Sequence, residues 1–227
     1  MLIGFLQCGH FPEAAGYPSR TYSELYAGFL DGYGLDFRTW SVVDMEFPES
    51  IRDADGWLIT GSRHGAYEDL PFIPPLEDFI RQAYGEGVPL VGICFGHQII
   101  AQALGGKVEK YSDGWSVGRT EYDFPDGKLA LNAWHQDQVV ERPAEAEVIA
   151  STGFCRYAGF RYKGAALSVQ PHPEFDKPAV DLLLNVRAPG VVPDDRIEPA
   201  LKAIDQPVDN AAMASQIVSF FKESRHG

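Results

Sequence analysis

Cys94 stands between two glycines in Val91-Gly92-Ile93-Cys94-Phe95-Gly96-His97-Gln98, where an apolar run gives way to a helical pattern. A nucleophile on such a strand-to-helix turn must adopt a strained backbone crowded by its neighbours. Gly92 and Gly96 remove the side chains that would clash there. The helix that follows directs its N-terminal dipole at the sulfur and favours thiolate. A cysteine nucleophile also needs a base, and Gln170-Pro171-His172-Pro173-Glu174 follows a second apolar run. In extended chain, side chains two apart project to the same side. Glu174 can therefore hold the His172 imidazole from behind while its other nitrogen faces Cys94. Pro171 and Pro173 restrict the backbone around that histidine. Such a set attacks carbonyls: the thiolate adds, the imidazolium protonates the departing amine, and water resolves the thioester. An α/β-hydrolase would order its triad nucleophile, acid, histidine. Here the histidine precedes its acid.

These residues need a sheet that delivers them to one edge. Leu2 to Gln7, Leu35 to Val43, Gly56 to Thr60 and Val88 to Ile93 read as the first four strands. Ser19 reads as the N-cap of a helix whose apolar positions Tyr22, Leu25, Tyr26, Phe29 and Leu30 share one face, ended by Gly32 and Gly34. A second helix is expected near Ile73 to Tyr84, and a third starts near Phe95. Strands alternating with helices predict a largely parallel sheet. Beyond that point the pattern changes to short alternating segments, Trp115 to Phe124 and Lys128 to Leu131, which predict appended antiparallel hairpins. Val148 to Ala150 and Ala165 to Val169 read as strands, and Lys177 to Val186 as a helix. Pro189 to Pro207 carries the weakest pattern. Ala211 to Phe221 reads as a closing helix, with Ala211, Ala214, Ile217, Val218 and Phe221 on one face. The expected fold class is α/β: a three-layer sandwich around a largely parallel, mixed central sheet. No repeat, linker or composition break divides the chain, so residues 1–227 are expected to form a single domain.

Composition agrees with a globular enzyme. The 227 residues are 45% apolar and 12% aromatic, which excludes a disordered chain. Thirty-two acidic against nineteen basic residues give a formal charge of -13, which argues against nucleic acid or an anionic membrane as partner. No stretch reads as a signal peptide or a membrane span. Cys8, Cys94 and Cys155 are odd in number and widely spaced, so no disulfide framework is expected and the chain reads as cytoplasmic. Cys8 and Cys155 read as core or loop thiols. His10, His64, His97 and His135 lack ligand spacing, so no metal is expected. His64 lies near enough to the nucleophile to touch substrate. The tryptophans read as core or pocket wall.

Three blocks carry a family resemblance: Gly92 to Gln98, Ala103-Leu104-Gly105-Gly106-Lys107-Val108-Glu109, and Val169-Gln170-Pro171-His172-Pro173-Glu174-Phe175. In order and spacing they resemble the signature blocks of class I glutamine amidotransferases. The nearest likeness is to the glutaminase domain of GMP synthase and its stand-alone relatives. The resemblance implies a flavodoxin-like fold and a Cys94, His172, Glu174 triad. That triad would cleave the γ-amide of glutamine or a γ-glutamyl compound through a γ-glutamyl thioester, releasing ammonia or an amine without a cofactor. The oxyanion would need two amide donors. One is expected from Phe95, at the start of the helix. The other is expected from Gly61 or Ser62, where the family usually has a Ser-Gly-Gly-Pro-like turn. Gln98, one helical turn past the nucleophile, matches a substrate-binding glutamine of the family. Asn132-Ala133-Trp134-His135-Gln136-Asp137 resembles the turn that closes on the amino-acid end of the substrate. Asp137 would attract the α-ammonium beside His135, and backbone amides near Ser116 or Gly118 would meet the α-carboxylate. The departures at Ser62, Arg63, His135 and Gln136 point to a stand-alone hydrolase with a widened pocket. The alternatives are an ammonia-supplying glutaminase subunit with a synthetase partner, and a non-catalytic binding module on the same fold. The chain has no P-loop with which to bind ATP itself, and a homo-oligomer is compatible with its sequence.

Overall fold

A computed structural model describes residues 1–163 and 165–224. Its centre is a seven-stranded sheet in the order β2-β1-β3-β4-β11-β10-β9. The strands are β1 (Leu2–Leu6), β2 (Asp36–Trp40), β3 (Gly56–Ile59), β4 (Leu90–Ile93), β9 (Ala146–Ala150), β10 (Gly159–Tyr162) and β11 (Ala166–Val169). The first five in spatial order are parallel, while β10 pairs antiparallel with both β11 and β9. Every residue of β3, β4 and β11 is buried. That is the burial of a parallel strand covered on both faces, and it explains their uninterrupted apolar runs.

Alternate residues of these strands feed two separate cores. Ile3, Phe5, Leu58, Val91, Ile93, Leu167 and Val169 pack on one face against α1 (Tyr22–Phe29) and α6 (Asn210–Ser224). Leu6, Trp57, Ile59, Leu90 and Ala166 pack on the other against α2 (Ile73–Gly85) and α3 (Phe95–Ala103). Each large apolar side chain taken fully out of water contributes about 1.5–3 kcal/mol. Helix, sheet, helix is the resulting layering.

The chain departs from its sequence-based reading in four places. Thr21, not Ser19, caps α1. Its hydroxyl accepts from Glu24 N at 3.1 Å while Glu24 Oε2 accepts from Thr21 N at 2.7 Å, a reciprocal capping box. Ser19 instead donates to Glu13 at 2.9 Å. The strand expected to reach Val43 stops at Trp40, and Val42–Asp44 forms a 3-10 turn. Lys177–Leu182 (α4) is α-helical, but Leu183–Arg187 widens into a π turn, closed by Ala188 N donating to Leu183 O at 2.9 Å. The segment that carried the weakest pattern holds a helix, Asp194–Lys202 (α5), entered at Pro193 with Asp194 and Asp195 in its first turn.

Two antiparallel pairs complete the molecule. Ser116–Phe124 (β6) and Gly127–His135 (β7) form a long hairpin, and Lys107–Lys110 (β5) pairs with Asp137–Glu141 (β8). The hairpin is tied to the turn after β11, because His172 N donates to Asn132 O at 2.8 Å and Asn132 Nδ2 donates to Phe175 O at 3.1 Å. Among the described residues, no helix is long and apolar enough to cross a membrane.

Candidate active site

The C-terminal ends of three neighbouring parallel strands meet at one edge. Gly61 and Ser62 follow β3, Cys94 follows β4, and His172 follows β11. In open α/β sheets this edge is where ligands bind. Cys94 N donates to Val169 O at 2.9 Å, so the nucleophile turn is stitched to the strand that leads to His172.

Cys94 occupies φ 54°, ψ -103°, one of two non-glycine residues with positive φ among those described. Such backbone costs about 1–3 kcal/mol and persists only where the surroundings enforce it. The enforcement is visible in the two glycines. A Cβ on Gly92 would lie 2.4 Å from Gly96 O, and one on Gly96 would lie 2.2 Å from Ile59 O. The turn is possible because both positions lack a side chain. Cys94 itself is 5% exposed, at the floor of a cavity of about 310 Å³.

His172 is buried, and its Nδ1 lies 2.6 Å from Glu174 Oε1. The ring stacks on Phe175 with centroids 4.0 Å apart and planes 4° from parallel. Burial alone favours the neutral imidazole. The charges and hydrogen bonds of Cys94 and Glu174 outweigh it and hold the ring's pKa up, at about 10. A ring protonated beside the sulfur can supply a proton to a group that leaves from it. The other two thiols stand apart from this chemistry. Burial pushes Cys8 far up and Cys155 up to about 12, so both stay protonated at neutral pH.

Serine, arginine, tryptophan and acid share the cavity wall. Ser62, Arg63, His64, Gln98, Trp134, His135 and Asp137 all line it with Cys94. Gln98 spends its amide hydrogens on Asp137 O at 2.9 Å and Gln170 Oε1 at 3.1 Å, leaving only its carbonyl oxygen to offer a ligand. The Asp137 carboxyl is pushed up by burial, opposed by a hydrogen bond from Tyr67 and the charge of Lys110. His135 is buried with Nδ1 3.3 Å from Asp137 O. Burial and the nearby His172 charge lower its pKa to about 4, so it is a neutral wall residue at pH 7. Among the described residues, no three His, Cys, Asp or Glu side chains are grouped so as to hold a metal ion.

The family description "Glutamine amidotransferase class-I" matches residues 39–181, from β2 through the His172 turn into α4. The chain belongs to the class I glutamine amidotransferase family. Gamma-glutamyl peptidase 4 of Arabidopsis thaliana is 31% identical over 181 residues, covering 73% of this chain and 71% of that protein. A glutamine-hydrolyzing GMP synthase subunit from Methanopyrus kandleri is 35% identical over 159 residues, covering 61% of this chain and 78% of that one. A crystal structure of a glutamine amidotransferase from Thermotoga maritima superposes with a TM-score of 0.77 at 16% identity, covering 100% of this chain and 98% of its own. That likeness is one of fold, the flavodoxin-like α/β sandwich of class I glutamine amidotransferases.

Against the family pattern, three expected positions fall elsewhere. Gly61 N donates to Tyr26 Oη at 3.1 Å, so its amide is already committed and does not face the cavity as a free oxyanion donor. A Cβ on Gly118 would lie 2.6 Å from Ala200 Cβ, and its φ of +75° lets β6 pass close against α5; that glycine serves packing. Ser116 pairs with His135 across the hairpin, and neither Ser116 nor Gly118 lines the cavity. The wall also contains Tyr67, Glu68, Lys110 and Arg187, which sequence reasoning missed. Lys110 was within reach of it, since β5 ends beside Asp137, but that pairing has no sequence signal of its own. His97 proves to be structural: Nδ1 lies 2.8 Å from Ser168 Oγ and Nε2 2.9 Å from Tyr157 O.

Proposed function

We propose that this family member is a stand-alone hydrolase of γ-glutamyl amides, with Cys94 as nucleophile, His172 as acid and base, and Glu174 orienting the ring. The observation that carries the reading is the buried His172–Glu174 pair, 2.6 Å apart, beside a strained Cys94 that opens on the cavity. The thiolate sulfur adds to the γ-carbonyl carbon, and the negative charge moves to the carbonyl oxygen. Ser62 N and Phe95 N are the amides assigned to that oxygen, Phe95 N being a free donor of the first turn of α3. His172 gives its proton to the nitrogen, the carbon–nitrogen bond breaks, and the amine or ammonia leaves. Water then loses a proton to His172 and attacks the thioester carbonyl. The γ-carboxyl product departs and the sulfur is regenerated. Asp137 is assigned to the α-ammonium of the glutamyl moiety and the Gln98 carbonyl oxygen to the same end.

The second reading, a glutaminase subunit idle until a synthetase partner is loaded, rests on the likeness to the Methanopyrus kandleri protein. The test is release of ammonia or amine by the purified chain at neutral pH, without ATP, across glutamine and a panel of γ-glutamyl amides. Turnover of at least one member, abolished in Cys94→Ala, is the expected result. Silence across the panel, relieved only by cell extract with ATP, would replace the hydrolase with the synthetase-dependent glutaminase.

A further inference from the structure

We infer that Arg187 selects substrates whose leaving amine carries a carboxylate. The inference rests on the γ-glutamyl hydrolase reading above and specifies the leaving-group half of its substrate.

The chain is strongly acidic, and half of its described lysines and arginines are engaged by acids, as Arg20 is by Asp176, Arg81 by Glu77 and Asp78, and Arg161 by Glu223. Arg38, Arg156 and Arg196 lie over aromatic rings. Arg63, Lys110 and Arg187 form no ion pair among the described residues, and all three line the cavity at Cys94. A cluster of unpaired cations in a chain of charge -13 leaves its positive field for a ligand.

The three cations occupy different ends. Lys110 stands opposite Asp137 across β5 and β8, and its charge acts on that carboxyl, so it belongs to the zwitterionic end of a glutamyl group. Arg63 belongs to the turn after β3 that carries Ser62. The buried residues of the turn that ends at Arg187, Leu183 and Leu184, pack in one core with Tyr22 and with Phe175, on which the His172 ring stacks, and the Arg187 charge acts on the Tyr22 phenol. The Tyr22 ring edge and His172 Cε1 both crowd the same point beside Gly61, at 3.5 and 2.8 Å. Arg187 is therefore the cavity cation on the His172 side of the nucleophile. His172 must protonate the departing nitrogen, so whatever that nitrogen bears extends on this side.

The backbone supports the assignment. The chain runs from His172 through the Asp176 cap and α4 without a break, and ends in the π turn whose last residue is Arg187. A π turn costs hydrogen-bond quality relative to an α turn and recurs at functional sites. Here it sets an exposed guanidinium at the cavity mouth, with exposed Val191 beside it. A planar guanidinium suits a carboxylate through two parallel hydrogen bonds.

The test compares γ-glutamylglycine with γ-glutamylmethylamide, close in shape and differing in the carboxylate, on wild type, Arg187→Ala, Arg187→Lys and Arg187→Glu. Wild type should favour the anionic substrate in kcat/KM by about tenfold or more, mostly through KM, and the preference should shrink as salt rises. Arg187→Ala should bring the ratio toward one, Arg187→Lys should keep part of it, and Arg187→Glu should reverse it. Equal use of both substrates by wild type, or a preference that survives in Arg187→Ala, overturns the role of Arg187 while leaving the hydrolase intact. Failure of wild type to cleave either substrate strikes the hydrolase reading itself, and this inference falls with it.

Discussion

At the scale of single residues, His172 and Glu174 are not equal partners. In the proposed reaction His172 would move the proton in both halves, whereas Glu174, which meets the ring through one short contact, would hold it and supply charge. His172→Ala removes the proposed proton carrier and should reduce turnover to near background. Glu174→Gln keeps an oxygen for Nδ1 and loses the charge, and should cost about 10²–10³-fold in kcat. The same substitution removes one of the two influences that raise the His172 pKa, so the acid limb supplied by His172 should move to lower pH. Steady-state kinetics across pH on both variants measures this. Equal rates in Glu174→Gln and wild type would remove the carboxylate from the machinery. That Cys94, His172 and Glu174 come together was legible because each has a local signature: glycines flanking a cysteine, prolines flanking a histidine, and an acid two positions on. Tyr67, Lys110 and Arg187 were not, because each reaches the cavity from a segment whose own sequence carries no sign of chemistry.

Elements were legible where burial is two-sided and periodic. β3, β4 and β11 announce themselves as apolar runs, and α1, α2 and α6 as stripes at helical spacing. Legibility fails for β5 and β8, which bury one or two positions each and are held by pairing with one another. It fails again at α5, whose interior Pro199 and mostly exposed residues mask a helix that packs Ile197 and Ala200 under the hairpin. The nucleophile turn makes a sharper element-scale point, because one substitution changes sign with its location. A methyl at Gly96 would enter the backbone of β3 at 2.2 Å, and Gly96→Ala should destabilise the fold by about 3 kcal/mol. Gly28, exposed in the last turn of α1, has nothing within 4 Å of its would-be Cβ. Gly28→Ala should stabilise by about 0.5–1 kcal/mol through the lower chain entropy of alanine. Urea denaturation of the two variants reads both signs; a neutral Gly96→Ala would mean that β3 and α3 can part without cost.

Across the whole molecule, the two halves of the sheet are joined beneath the site by His97. From α3 it reaches Ser168 in β11 through Nδ1 and Tyr157 O, at the entry to β10, through Nε2, while its ring stacks on Phe160 at 5.0 Å. One neutral histidine thus links the parallel strands to their antiparallel extension. Burial lowers its pKa from the ordinary 6.5 to about 3, against a smaller opposing effect of the Tyr157 carbonyl. Because the folded value lies below the unfolded one, the unfolded chain takes up a proton first as pH falls below 6.5, and stability drops with it until about pH 3. For this buried group the loss by pH 4 is about 3 kcal/mol. His172 has the opposite sign: its raised value contributes stability below 6.5 that is lost as pH rises toward 10. His97→Gln keeps a donor and an acceptor but cannot titrate. Its stability should be lower than wild type at pH 7, yet its unfolding free energy between pH 6.5 and 4 should fall less steeply by about that amount. Parallel slopes in the two proteins would show that protonation of His97 takes no part in the acid unfolding of this sheet.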